Sequence, residues 1–372
     1  MEVPARVAGE VMRLTGFLVL LALAASCAHE EHTPPSAMPE TQSGRRAFAL
    51  AADTSDLVAV TAKNFVRAET DLHFAKFAAG SGIGKLEHRR QMPSIERQDV
   101  VRLNRDALIS TGVFDLDAAP VTITLPDPGK RFMSMQLLSE DHYVLDVVYA
   151  PATFTCTKER AATRYVAALI RTLADPKDNA DMDAARALQD NVRVQQEHEG
   201  RFDVPHWDPK SLAKVRDALK LLGTGPGEAA LAFGPKERVD PIAHLIGAAM
   251  GWGGTPRDVA TYVSVVPRAN DGRIVHQLVV KDVPVDGFWS ISVYNANGYF
   301  EKNDLDLYSL SDYTAEQDAS GVFRFQFGGC RAVTPNCLPI MPGWNYTVRL
   351  YRPRREILDG RWTFPEAEPV NR

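Results

Sequence analysis

The chain has 372 residues, 45% hydrophobic, 24% charged and 8% aromatic. That is the make-up of a globular protein, which excludes a disordered or polytopic membrane chain and leaves room for one large domain or two. A formal net charge of −5 gives neither a nucleic-acid footprint nor a polybasic membrane patch.

After Arg13 an apolar run extends from Leu14 to Ala25. It is too short to span a bilayer and has the length of a signal-peptide core. The run ends in Ala24-Ala25-Ser26-Cys27, which resembles the lipobox of bacterial lipoproteins, whose cysteine is lipidated and becomes the mature N-terminus. Ala24 stands where lipoboxes favour Leu, and the competing reading is an ordinary small-residue cleavage site nearby. Translation from Met12 instead of Met1 would place a short basic start ahead of the core. Residues 1–26 are thus read as a signal peptide. Residues 27–50, polar with Pro34, Pro35 and Pro39, read as a linker that cannot bury a core. Acylation of Cys27 is the one membrane contact expected. Ala28 is not an inner-membrane retention Asp, so the expected address is the periplasmic face of the outer membrane.

Four cysteines are present. Cys330 and Cys337 bracket a short step containing Pro335, plausible for a disulfide closing a loop in an oxidising compartment. Two buried thiols are the alternative. A zinc site would need two more ligands, and no Cys or His lies near in sequence.

The elements follow in chain order. A helix is predicted from Ser55 towards Phe77, with Val58, Ala62, Phe65 and Leu72 on one face, ending at Gly80-Ser-Gly-Ile-Gly84. From about Leu103 to Val148 the pattern alternates as in antiparallel sheet. Val121, Ile123 and Leu125 share one face, and Met133, Met135 and Leu137 oppose Phe132, Ser134 and Gln136. A helical block is predicted next, with Val166, Leu169, Ile170 and Leu173 in one segment and Met182, Ala185, Leu188 and Val192 in another. Asp208-Pro209 starts a helix that stops at Gly223, and Asp240-Pro241 starts one reaching about Met250, each Asp capping and each Pro in the first turn. Strands return at Tyr262–Val266, Val275–Val280, Phe288–Tyr294, Val322–Phe327 and Tyr346–Tyr351.

The two strand regions read as copies. Phe132-Met-Ser134 answers Phe288-Trp-Ser290 and Tyr143 answers Tyr299, all at an offset of 156 residues. The expected fold is α+β, mainly β: two antiparallel jelly-roll or sandwich domains, residues 51–156 and 258–372, around a helical insert, 157–257.

Asn104-Arg105-Asp106-Ala-Leu-Ile-Ser110, Pro120–Pro126 and Arg131–Leu137 resemble the family of domains of unknown function numbered 1254. Pro284–Tyr299, Tyr308-Ser-Leu310, Gly328-Gly-Cys330, Asn336–Pro339 and Arg349-Leu-Tyr-Arg-Pro353 resemble its usual C-terminal companion, numbered 1214. The resemblance implies two β jelly-roll domains with a helical insert in exported bacterial proteins, and no established reaction. Ala107 and Ile109 depart from the Thr and Tyr that relatives often carry, so hydroxyl chemistry is not expected there.

Chemical motifs are sparse. Ser211-Leu-Ala-Lys214 has the spacing of penicillin-recognising enzymes but lies in the first turn of a helix, without the companion motifs. Gly80–Lys85 lacks the Ser or Thr of a phosphate loop. His29-Glu-Glu-His32 lies in the linker, and His244 reads as a packed core residue. Asp175, Asp178, Asp181 and Asp183 lack the Gly and closing Glu of a calcium loop. No metal or cofactor is expected. What remains is a polar and aromatic constellation: Asn104, Arg105 and Asp106 in the first domain, Tyr294, Asn295, Asn297, Tyr299 and Asn303 in the second. It suits a small polar ligand or carbohydrate in an interdomain cleft. A structural account competes, with Asn297-Gly298 as a hairpin turn, Asn295 capping it, and Arg105 and Asp106 as an internal ion pair. Two function classes stay open: an envelope binding protein, or a hydrolase using Asp106 with Arg105 as anion holder.

Overall fold

The computed structural model of the protein describes residues 56–98, 100–223 and 231–370. The expected signal peptide, Cys27 and the linker lie outside the described residues.

The chain enters through Val58, bridged to Trp207, and forms helix α1 at Phe65–Ser81. The helix begins later than its apolar spacing predicts, because Val58 and Val60 are engaged in extended contacts with Trp207 and Ser211. Strands β1 (Leu86–His88), β2 (Ala107–Asp115), β3 (Val121–Leu125), β4 (Met133–Ser139), β5 (Val144–Tyr149) and β6 (Ala152–Cys156) follow. A single turn, α2 (Lys158–Ala161), leads to β7 (Tyr165–Leu173), helix α3 (Asn179–Asp190) and β8 (Arg193–Gln196). These strands make a sandwich. One sheet runs β1-β2-β7-β4-β5 and the other β6-β3-β8, antiparallel throughout.

The Val166–Leu173 run is therefore a strand and not the predicted helix. Val166, Ala168 and Ile170 face the sandwich core with Ile123 and Met135. Tyr165, Ala167 and Leu169 face Phe74 of α1 and Trp252. A strand covered on both sides loses the alternation that would mark it, and a short apolar run looks the same as a buried helix. The stretch read as a helical insert thus supplies two strands of the first sandwich.

The capping signals fare better. Helix α4 (Pro209–Leu222) is capped by Asp208, whose carboxylate accepts from the Lys210 and Ser211 amides, both at 3.1 Å. Helix α5 (Pro241–Gly251) is capped by Asp240, which accepts from Ile242 and Ala243, both at 2.9 Å. Phe65 and Ala68 of α1, Leu212 and Leu219 of α4, and Ile246 of α5 share one apolar cluster.

The second sandwich holds β9 (Ala260–Val265), β10 (His276–Val280), β11 (Trp289–Tyr294), β12 (Ser309–Ser311), β13 (Phe323–Phe327), β14 (Cys337–Leu338), β15 (Asn345–Tyr351) and β16 (Glu368–Pro369), with a helical turn α6 (Arg355–Leu358) between the last two. Its sheets run β12-β11-β15-β9 and β14-β13-β10-β16. Apart from β1 and β14, each strand has a counterpart in the first sandwich: β5-β4-β7-β2 matches β12-β11-β15-β9, and β6-β3-β8 matches β13-β10-β16. The register agrees too. Ser134 pairs with Arg171 across β4 and β7, and Ser290 pairs with Arg349 across β11 and β15. The Leu173 amide bonds the Phe132 carbonyl at 3.0 Å, as the Tyr351 amide bonds Phe288 at 2.9 Å. The copies read from the sequence are copies in topology.

Cys330 and Cys337 form a disulfide with a Cα–Cα distance of 5.6 Å, which points to an oxidising, extracytoplasmic compartment. Cys156 is buried, and burial pushes its thiol up to about 11, so it is inert. No helix among the described residues is long and apolar enough to cross a membrane.

Candidate functional site

The residues before β2 lie across the outer face of the second sandwich. That face is polar because β15 alternates: Tyr346, Val348 and Leu350 enter the core, which leaves Thr347, Arg349 and Tyr351 for the other side. Arg102 Nη1 donates to Thr347 Oγ1 at 2.7 Å. Asn104 Nδ2 donates to the Tyr351 hydroxyl at 2.6 Å. Ser290 Oγ donates to Asp106 Oδ2 at 2.6 Å. Arg349, only 3% exposed, is the hub. It donates to Ser292 Oγ at 2.8 Å, to the Arg102 carbonyl at 2.8 Å and to the Tyr294 hydroxyl at 2.6 Å. The Tyr294 hydroxyl in turn donates to the Leu103 carbonyl at 2.8 Å. Beside this polar seam lies an aromatic one, where the counterparts Phe132 and Phe288 meet with centroids 5.0 Å apart.

Of the residues singled out from the sequence, Asn104, Asp106 and Tyr294 lie together in this seam. Arg105 is adjacent but does not pair with Asp106. Its guanidinium donates to the Pro93 carbonyl and lies 5.4 Å from the centre of the Tyr308 ring. Asn295, Tyr299 and Asn303 stand apart as loop organisers. Asn295 Oδ1 accepts from the Asn297 and Tyr299 amides at 3.0 and 3.1 Å. The turn runs from Asn295 to Gly298, with Gly298 at φ 82° as the left-handed residue that closes such a loop. Asn303 Oδ1 accepts from the Leu305 and Leu307 amides. The hub Arg349, with Ser290 and Ser292, was not singled out from the sequence. A charged residue at an alternating position inside an apolar strand was the signal.

Between the sandwiches lies a cavity of about 180 Å³, lined among others by Arg105, Asp106, Lys177, Tyr308, Ser309 and Ser311. Asp106 is 5% exposed. Burial lifts its carboxyl above the ordinary range, against the charge of Arg349 and hydrogen bonds from Ser290 and Ser309. Burial likewise pushes Asp312 up to about 6, against its backbone hydrogen bonds, with Asp106 adding to the rise. For Arg349 burial opposes the charge, but Tyr294 and Asp106 more than offset this and hold the guanidinium protonated. Lys177 Nζ donates to the Leu305 carbonyl at 2.8 Å and stands 3.8 Å from Asp306.

The remaining motifs have structural uses. Asp178 caps α3, and Asp181 in its first turn pairs with Arg131 at 2.6 Å. His244 is buried between the Ala232 and Asp141 carbonyls. Ser211 Oγ accepts the Val60 amide at 2.9 Å. Among the described residues no group of three or more His, Cys, Asp or Glu is placed to hold a metal ion.

No protein of curated function matches the chain. Its fold superposes on the crystal structure of the VPA0106 protein from Vibrio parahaemolyticus with a TM-score of 0.64 at 17% identity, over 83% of this chain and 98% of the other. An uncharacterized protein from Burkholderia cenocepacia aligns over 82% of this chain and 86% of its own at 12% identity, with a TM-score of 0.47. Residues 83–153 match the family described as "Protein of unknown function (DUF1254)", and residues 268–355 match "Protein of unknown function (DUF1214)". The two matches fall in that order, one on each of the two sandwiches.

Proposed function

We propose that this is an exported protein of the bacterial envelope, lipid-anchored at Cys27, which binds a small polar ligand in the cavity between its sandwiches. The observation that carries the reading is the cavity wall: a buried carboxyl held by hydroxyls, with groups from both sandwiches converging on it. At about 180 Å³ the space is below the usual range for drug-sized ligands, so the ligand is a small one. Binding is favoured over hydrolysis by the lining, where Ser311 is engaged with Thr314 and neither His nor Cys is present. The anchor has the simpler test. Mass spectrometry of the mature protein is expected to find an acylated Cys27, and an unmodified N-terminus beyond it rejects the lipid. The ligand is tested by thermal denaturation with small sugars, carboxylates and amines. At a concentration about a hundredfold over Kd, the binding class is expected to add about 2.7 kcal/mol of stability. That gain should vanish in Ser311→Tyr, which fills the cavity. A panel that leaves the midpoint unmoved defeats the reading.

A further inference from the structure

The duplication shows where the cavity comes from. Strand pairing equates Tyr149 with Ser311, opposite Ser134 and Ser290 respectively. It also equates Arg352 with Ala174, the residues that follow β15 and β7. In one half of the seam the Arg352 guanidinium lies 4.6 Å from the centre of the Tyr149 ring, so a side chain of the second sandwich closes against the edge strand of the first. In the other half Ala174 and Ser311 face the same kind of junction and leave it hollow. A third exchange accompanies these two. The Ala174 amide bonds the Asp106 carbonyl at 3.2 Å, whereas the Arg352 amide bonds Val259 at 2.8 Å. The hollow half has thus lost a guanidinium and a ring and gained a buried acid.

We infer that the cavity seats a small organic cation, an ammonium or guanidinium group that pairs with Asp106. The inference rests on the reading that the cavity holds a ligand, and names the class. The charges of the wall lead to it. Both basic residues of the lining are satisfied by the protein itself: Arg105 by the Pro93 carbonyl and the Tyr308 ring, Lys177 by the Leu305 carbonyl and Asp306. Arg349, the nearest buried cation to Asp106, spends its hydrogen bonds on Ser292, Tyr294 and the Arg102 carbonyl. Asp106 is left with hydroxyls for hydrogen-bond partners, and its charge in turn raises Asp312. Arg349 favours the Asp106 charge but makes no hydrogen bond to it, so the carboxyl lacks a hydrogen-bonded cationic partner. A cation entering from the cavity supplies it, through a charge-assisted hydrogen bond of the strong kind. An anion would instead meet Asp106, Asp175 and Asp306 on the cavity wall.

Thermal denaturation and titration calorimetry with methylammonium, methylguanidinium and agmatine, set against acetate and glycerol at equal ionic strength, test this. The cations are expected to raise the melting temperature while acetate and glycerol do not. Affinity is expected to fall about tenfold or more in Asp106→Asn and to be lost in Ser311→Tyr, whose fold is checked by circular dichroism. Binding of acetate or glycerol in place of the cations overturns the cation assignment and leaves the cavity reading standing. So does equal cation affinity in wild type and a folded Asp106→Asn. If that variant does not fold, the ranking of the compounds on the wild-type protein decides alone. No shift with any of the five overturns the cation assignment, while the wider panel with small sugars and carboxylates decides the cavity reading.

Discussion

Arg349→Met is expected to destabilise the protein by about 3–5 kcal/mol, the usual cost of stripping one partner from a buried charged network. The methionine keeps most of the volume, so the loss reports hydrogen bonds and charge more than a packing void. Four groups lose their donor or neighbour: Ser292 Oγ, the Tyr294 hydroxyl, the Arg102 carbonyl and the Asp106 carboxyl. All lie in the seam, where water does not readily replace what is removed. The duplication supplies the control. Arg171 occupies the equivalent position in the first sandwich, opposite Ser134, but it is half-buried and makes one long hydrogen bond, 3.4 Å to Gln136 Oε1. Arg171→Met is expected to cost about 1 kcal/mol. Urea unfolding of the two variants checks the pair, and similar losses would show that the seam does not depend on its hub.

How much of this was legible in the residues depends on what covers each element. Asp208-Pro209 and Asp240-Pro241 announced their helices correctly, because a cap is a local bond between a side chain and amides two and three residues on. Five of the eight strands of the second sandwich fell within a few residues of the predicted runs, and the short β12, β14 and β16 were not predicted. Val121, Ile123 and Leu125 alternated because one face of β3 is only half-covered. Tyr165–Leu173 did not alternate, since helices and core enclose it from both sides, and it was misread as helix. The offset of 156 residues was real at β4 and β11. It could not show that the counterpart of Arg349 is Arg171, because loops of different length separate the last strand from the others. The site divided in the same way. Asn104, Asp106 and Tyr294 share a seam, of which Asp106 alone lines the cavity, while Asn295 and Asn303 fold their own loops. Arg349, Ser290 and Lys177 act through contacts between residues remote in sequence, and composition does not encode these.

The two halves also differ in what lies outside the seam, and that difference sets the pH dependence of stability. The outer face of the first sandwich is covered by α1, which carries Asp71 at 1% exposure. The Trp207 indole donates to Asp71 Oδ2 at 2.8 Å, and Glu140, itself 5% exposed, stands beside it. Arg67 does not neutralise the two acids, because it binds Asp141 at 2.6 Å and reaches Glu140 only at 3.5 Å. Burial, and then repulsion from Glu140, pushes the Asp71 carboxyl up to about 7, with the Trp207 hydrogen bond opposing.

A carboxyl that ionises later in the folded protein than in the unfolded chain makes folding less favourable as pH rises. The unfolded state has already released the proton near pH 4, while the folded state holds it until about 7. Stability is therefore expected to fall between those limits by as much as about 4 kcal/mol and to level off above them. Asp312, pushed up to about 6, adds a loss of the same sign in the lower part of the window. Asp115 and Asp181 act the other way but elsewhere. Burial would raise both, yet hydrogen bonds from Arg164 and Arg131 hold them below the ordinary range, so their contribution disappears only in more acid solution. Urea midpoints at about pH 5 and about pH 8 separate the two effects. His142, which burial holds well below the ordinary imidazole range, acts the other way within the same window, so the Asp71 share is expected as a shallower fall of stability with pH in Asp71→Asn, which cannot ionise, than in the wild type. An unchanged slope in the variant would mean that the proton lies on another group, with Glu140 the first to replace by Gln.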